Sequence, residues 1–445
     1  MRSARWFIVL LALAAACSGT GPAEPPGADV PADAITDTVA DVPPALPKFR
    51  RHVVDAQATG AAYAEVADLD GDGVPELVVS LFGKPDDANF YPDGQVVVYK
   101  RGQDLDHWTR SVILSGDLGV KYPNRPTVAD VNGDGRPDVI VAAGFLLCTL
   151  FSEDYACGSL QWMEQTETGW TRHLLVEGTV DFYHRGLLLD VDGDHRDDLV
   201  TVAEHMVGMA GDNQGAVTRW FKGVEGADRF DPAPRDLAAG MGSLFQAVDV
   251  DGDGDTDLCA AEFFVAGESV AWLEQKDGQW IHHVIDADSG PSIQFALVPN
   301  LFGDGVARGV GSNHVNTQDD ATAPESAIRV YDRPVNPADP WTKRVVSQGI
   351  QSVKSPVGAP QQAPGVFGWG DIDGDGRIDL AVSGDGDPRV LWLQQVAPGQ
   401  FETQVLEASL PEASGMQVVD LDGNGTPEIV VTGYTDNVVY VYERE

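Results

Sequence analysis

Aspartate, asparagine and glutamate recur along this chain at a spacing that could wrap an oxygen-seeking cation. Asp68-Leu-Asp70-Gly-Asp72-Gly-Val-Pro-Glu76 puts side-chain oxygens at positions 1, 3, 5 and 9 of a nine-residue loop. The same frame returns as Asp130, Asn132, Asp134 and Asp138, then Asp190, Asp192, Asp194 and Asp198, then Asp249, Asp251, Asp253 and Asp257. Asp371, Asp373, Asp375 and Asp379 follow, and Asp420, Asp422, Asn424 and Glu428 make the last copy. With the position-7 carbonyl added, each loop suits a hard ion taking about 6 to 8 oxygens, so Ca2+ is the expected cofactor at about six structural sites. Asp and Gly also gather in plain polar turns, but the recurrence in one apolar context favours the ion. An EF-hand would need a bidentate Glu at position 12 and flanking helices, and position 12 is Val79 in the first copy and Val141 in the second. His195 replaces the Gly found at position 6 of the other intact loops, which predicts a strained backbone there.

The elements that hold these loops read as strands. Val66-Ala67 precedes the first loop and Leu77-Val78-Val79 follows it, both short and mostly β-branched. A third run carries an aromatic residue in every unit, at Tyr99, Trp162, Trp220, Trp272, Tyr331, Trp392 and Tyr440. A fourth begins with an aromatic, at Phe49, Trp108, Trp170, Trp280, Trp341 and Phe401, with Phe230 as a looser match. That makes seven units with six intact loops. The missing loop is Asn300-Leu-Phe302-Gly-Asp304-Gly-Val-Ala-Arg308, where Phe302 and Arg308 stand at ligand positions. A contact from Arg308 to Asp304 is expected to bridge that loop in place of an ion. Four short strands per unit predict an all-β, seven-bladed β-propeller with four-stranded blades. The lone strand Phe49 to Val54 should complete the last blade, removing an edge that a closed ring cannot leave free.

These loops, with Val128-Ala129 before and Val139-Ile140-Val141 after, resemble the FG-GAP/VCBS repeats of integrin-α-like seven-bladed propellers, some fungal lectins and many bacterial surface proteins. The resemblance covers about residues 48–445 and implies the fold and calcium at the ligand positions named above. It implies less about function, because function belongs to the site and not to the fold. Some rhamnogalacturonan lyases also resemble this repeat, but with eight blades.

At the N-terminus, Arg2 and Arg5 precede an apolar stretch too short to span a membrane, so residues 1–17 read as an export signal. Leu13-Ala14-Ala15-Ala16-Cys17 resembles a bacterial lipoprotein cleavage site. The resemblance implies lipidation at Cys17 and a place on the outer membrane or cell surface, or secretion if Cys17 is not lipidated. Residues 18–47 are Pro, Ala, Asp and Gly with little to bury, and read as a disordered tether. Cys148 and Cys157 fall in one loop of an oxidising compartment and are expected to form a disulfide, while Cys259 lies in an apolar run as a buried free thiol.

A net charge of -40 repels nucleic acid and anionic lipid, so membrane contact is expected through the anchor alone. The remaining partner is a glycan or an extracellular or envelope protein, met by a monomer. The longest insertions, 82–94, 144–158, 204–215, 314–326 and 347–364, should lie on the face opposite the acidic loops. Long loops on a rigid scaffold are where binding resides. Near the channel on that face the candidate ligand residues are Tyr122, Asn124, Arg125, Tyr183, His184, Arg185, Glu204 and His205. A non-enzymatic binding propeller is the expectation. The alternative is a polysaccharide lyase acting on acidic glycans, with His184 and Arg185 as the acid/base and neutralising groups.

Overall fold

The computed structural model describes residues 47–445 apart from 86–90, 146–147, 149–154, 208–211, 227, 266 and 355–360. The expectations for Cys17, the export signal and nearly all of the tether lie outside the described residues. Seven antiparallel sheets of four strands follow one another along the chain. The first blade holds β2 (Ala61–Ala67), β3 (Glu76–Leu81), β4 (Gln95–Arg101) and β5 (Trp108–Leu114). Five more run from β6 (Thr127–Ala129) to β9 (Gly169–Thr179), β10 (Phe182–Leu189) to β13 (Arg235–Ala239), β14 (Gln246–Val248) to β17 (Gln279–Asp286), β18 (Ser292–Val298) to β21 (Thr342–Val345), and β22 (Phe367–Gly370) to β25 (Gln400–Glu407). The seventh joins β26 (Ala413–Val419), β27 (Glu428–Gly433) and β28 (Val438–Arg444) to β1 (Phe49–Asp55). The fold is the expected seven-bladed propeller, and the N-terminal strand closes it, with Phe49 opposite Arg444 and Val53 opposite Tyr440.

Side chains of a strand alternate between its two faces, and in the inner strands of a blade both faces are buried. Leu77 and Val79 of β3, with Val97 and Tyr99 of β4, pack on Val430, Val439 and Val441 of the last blade. Their neighbours Val78, Val96 and Val98 pack the other way, on Val139, Val141 and Met163 of the second blade. Every residue of β3 is buried, which is why the second strands read in sequence as unbroken apolar runs and not as alternating ones. Each such Val or Leu contributes about 1.5–3 kcal/mol on burial. The fourth strands form the outer rim, and Thr109 to Val112 of β5 are exposed, with Arg110 on the strand as the kind of charge that blunts a free edge.

One element departs from the sequence reading. The fourth strand of the third blade is β13, which begins at Arg235, so Phe230 is not its leading aromatic. Phe230 instead makes an isolated bridge to Gly223 and is 3% exposed within the core of the second and third blades. The loop there is longer than its counterparts, so the aromatic that anchors the rim falls before the strand.

Neighbouring blades are also stapled by polar side chains at the channel. Gln294 bonds both the N–H and the carbonyl of Phe367, accepting at 2.8 Å and donating at 3.1 Å. Gln417 donates to the Ala64 carbonyl and Thr432 to that of Ala62, tying the last blade to the first. At the rim of that same junction His52, 3% exposed, lies between Asp106 at 2.8 Å and Glu443 at 2.9 Å. Removing residues 48–55 should strip β28 of its partner and break this junction, giving a lower and broader calorimetric melt. A sharp transition at the wild-type temperature would refute closure as a stability requirement.

Candidate metal loops and the central channel

Each acidic loop is the turn between the first and second strands of its blade, so the loops share one end of the propeller. The position-1 aspartate organises the backbone. Asp68 accepts from the N–H groups of Gly71 at 2.8 Å, Asp72 at 3.2 Å and Gly73 at 2.9 Å. Asp420 does the same with Gly423, Asn424 and Gly425 at 2.8, 3.1 and 2.8 Å. Gly is used where φ turns positive, and His195 holds that place in the third blade at φ 65°, its N–H still bonded to Asp190. The strain expected of His195 is thus present as a left-handed backbone at a non-glycine residue.

The position-9 carboxylates are buried. Glu76 is 2% exposed, and Asp138, Asp198, Asp257, Asp379 and Glu428 are wholly enclosed. One oxygen of each Glu takes a loop N–H, from Leu69 to Glu76 at 2.8 Å and from Leu421 to Glu428 at 2.7 Å. The other oxygen, Oε1 in both, is buried without a hydrogen-bond partner, as is Asp371 Oδ1. Burial is the main cause that raises Asp257 to about 6 and Asp379 and Glu428 to about 7, with the neighbouring loop carboxylates adding to it. Oxygen-only donors, mutual repulsion and orphaned buried oxygens fit a hard cation. Candidate ligand groups come together as Asp249, Asp251 and Asp257, as Asp371, Asp373 and Asp375, and as Asp420, Asp422 and Glu428. Asp68, Asp70 and Glu76 also converge, and so do Asp190, Asp192 and Asp194.

The loop of the fifth blade, the one that lacks the ligand set, is closed by a guanidinium. Arg308 reaches Asp304 through two parallel bonds of 2.8 and 2.6 Å and Asp332 through Nε at 2.8 Å. Its hydrogen bonds hold the Asp304 carboxyl far below the usual range. Sequence reasoning missed Asp332 and its counterparts, which face position 9 from the third strand. The signal was there, because each lies one to three residues after the aromatic of that strand.

At the other end the expected ligand residues divide. Tyr122, Asn124, Tyr183, His184 and Glu204 are at most 5% exposed. Asn124 donates to the carbonyls of Gly144 and Tyr183 and so joins two blades, while Tyr183 packs in the core of its own. His184 Nε2 lies 2.7 Å from Glu204 Oε2 inside the fold, and His205 lies 2.9 Å from Asp181. Arg125 and Arg185 instead line a channel cavity of about 320 Å3 with Gln246, Gln294, Phe367 and Trp369. Arg125 pairs with Glu65 at 3.1 Å. Among the described residues Arg185 bonds uncharged oxygens, the Phe245 carbonyl at 3.0 Å and Thr127 Oγ1 at 3.3 Å. Burial, with Arg125 beside it, pushes the Arg185 guanidinium below its ordinary value. The described parts of the long insertions lie on this end, where Tyr91 stacks on half-exposed Tyr155 at 5.1 Å beside the bridged Cys148 and Cys157, whose Cα atoms are 5.9 Å apart. Cys259 is a buried free thiol.

Residues 371–431 match the family model of the FG-GAP-like repeat, and residues 122–146 match that of the FG-GAP repeat. No curated protein matches the chain. Among solved structures, a Penicillium chrysogenum alpha-L-arabinanase complexed with arabinobiose is similar over 89% of this chain and 99% of that one, with 14% identity and a TM-score of 0.45.

The buried position-9 groups make metal-free stability depend on pH. A carboxyl raised in the folded state contributes stability that is complete below its unfolded value and is lost as pH rises through the folded one. For Glu428 that window runs from 4.5 to about 7. In excess chelator, Glu428→Gln should gain melting temperature relative to wild type as pH is raised across this window. A constant difference between the two proteins in scanning calorimetry would refute it.

Proposed function

This chain is an FG-GAP repeat β-propeller, and we propose that it is a calcium-stabilised, non-enzymatic binding module of a bacterial envelope that captures an acidic group of an extracellular glycan. The observation that carries this reading is Arg185. It is a guanidinium lining the channel cavity with no carboxylate at ion-pair distance among the described residues, in a chain of net charge -40. A partly buried cation surrounded by amides and an aromatic ring is costly to leave unpaired, and a planar fork of donors matches a carboxylate. Gln246, Gln294, Phe367 and Trp369 line the same cavity, with the Gln294 amide engaged by the Phe367 backbone and Gln246 Oε1 by the Leu297 N–H. Pocket polarity of this kind orients a small acidic group and excludes bulk water.

Calcium enters the proposal as a structural cofactor. The loops and the channel are at different levels of the same first strands, so ions that hold the loop ends also hold the strands that carry Arg185. Binding only the folded form, calcium stabilises by mass action, about 2.7 kcal/mol per independent site at a free concentration 100 times the dissociation constant. The envelope attachment rests on the Cys17 segment of the sequence. Among the described residues no helix is long and apolar enough to cross a membrane.

A glycan array in calcium should retain uronic-acid-containing oligosaccharides over their neutral counterparts. Arg185→Gln should weaken that binding about 10-fold or more, the loss expected for one charged hydrogen-bonded contact. Equal retention of neutral sugars, or unchanged affinity in the variant, would overturn the reading.

A further inference from the structure

The position that faces the last loop residue, one step beyond the registered pairs of the second and third strands, differs in charge from blade to blade. In register order it is Lys100, Glu164, Lys222, Glu274, Asp332, Gln394 and Glu443. In the fifth blade an arginine has entered the loop and the facing residue is Asp332, which pairs with it. That blade shows how this scaffold closes a loop with its own cation.

The first and third blades place a cation in the loop from the opposite strand. Lys100 Nζ bonds Asp70 and lies 2.9 Å from Asp72 Oδ2 and 3.7 Å from Glu76 Oε1, the otherwise orphaned oxygen. Lys222 Nζ bonds Asp192 and lies 2.7 Å from Asp194 Oδ2. These are the position-3 and position-5 carboxylates, with position 9 added in the first blade, and they are the oxygens a divalent ion would share. An ammonium offers three donors and one positive charge to such a set. A second cation in the same space would meet Coulomb repulsion at contact distance.

The other intact loops have no facing lysine. Gln394 donates to Asp373 at 2.6 Å, Glu164 and Glu274 each take a histidine at 2.8 Å, and Glu443 takes His52. Arg136 and Arg377, at position 7 of the second and sixth loops, touch one carboxylate each. Their Nε atoms are turned to the carbonyls of Gln165 and Gln395 at 3.0 and 2.5 Å, so they brace the loop from outside.

We propose that Lys100 and Lys222 occupy the cation positions of the first and third loops, leaving the second, fourth, sixth and seventh as the loops that take a divalent ion. The inference rests on the calcium reading given above. Bound calcium per protein is to be counted by equilibrium dialysis followed by elemental analysis, for wild type, Lys100→Met, Lys222→Met and the double variant. Four ions in wild type, five in each single variant and six in the double variant are expected. The calcium-dependent rise in melting temperature should grow in the same order. Six ions in wild type, or four in all proteins, would overturn the lysine assignment and leave calcium binding intact. No ion in any of the proteins would overturn both.

Discussion

A ring of packed blades is complete only if its last blade has all four strands, and everything else in this molecule depends on that closure. β1 supplies the outer strand of a blade whose other three strands come from the opposite end of the sequence. The pairing of Phe49 with Arg444 brings the described ends of the chain together. It also lets the inner strands of the first and last blades bury their apolar faces against each other, through Leu77, Val79, Val430 and Val441. Without closure these faces would be solvent-exposed at two blade surfaces, since a propeller blade packs on both neighbours.

Packing strands this closely brings one turn of every blade to one end, and those turns are strongly acidic. The molecule meets this charge problem in different ways within one frame. In the fifth blade a guanidinium bridges Asp304 and Asp332. In the first and third blades a lysine crosses from the neighbouring strand. In the remaining blades burial raises buried carboxylates such as Asp379 and Glu428 toward their protonated form, because it disfavours their charge. The common backbone frame, an aspartate gathering successive N–H groups, survives in all of these, down to Asn300 taking the N–H of Gly305.

The channel reverses the sign. Arg125 and Arg185 lie where the first strands converge; Glu65 contacts Arg125 directly and acts on Arg185 only at longer range. The same crowding that lets Gln294 and Gln417 join blades through backbone groups keeps Arg185 off the bulk solvent. On the proposed reading, a local positive site inside an acidic protein is what would admit a small acidic group in preference to a neutral one.

Repetition made most of the fold legible in the sequence. Loops, aromatic strands and the lone strand at Phe49 fixed the number of blades, the all-β class and the mode of closure, because each blade repeats the same local chemistry and register follows from it. The acidic positions of the loops and the contact of Arg308 with Asp304 were equally local, spanning nine residues. Phe230 was misplaced because an aromatic at a rim can anchor a strand or a loop, and only packing distinguishes the two. Tertiary structure alone decided which of the channel candidates face the cavity, since Arg185 and His184 are adjacent in sequence but meet different surroundings. It also showed what Lys100 and Lys222 touch: their offset from the third-strand aromatic was readable in the sequence, but their contact with the loop carboxylates comes across strands and only the fold supplies it.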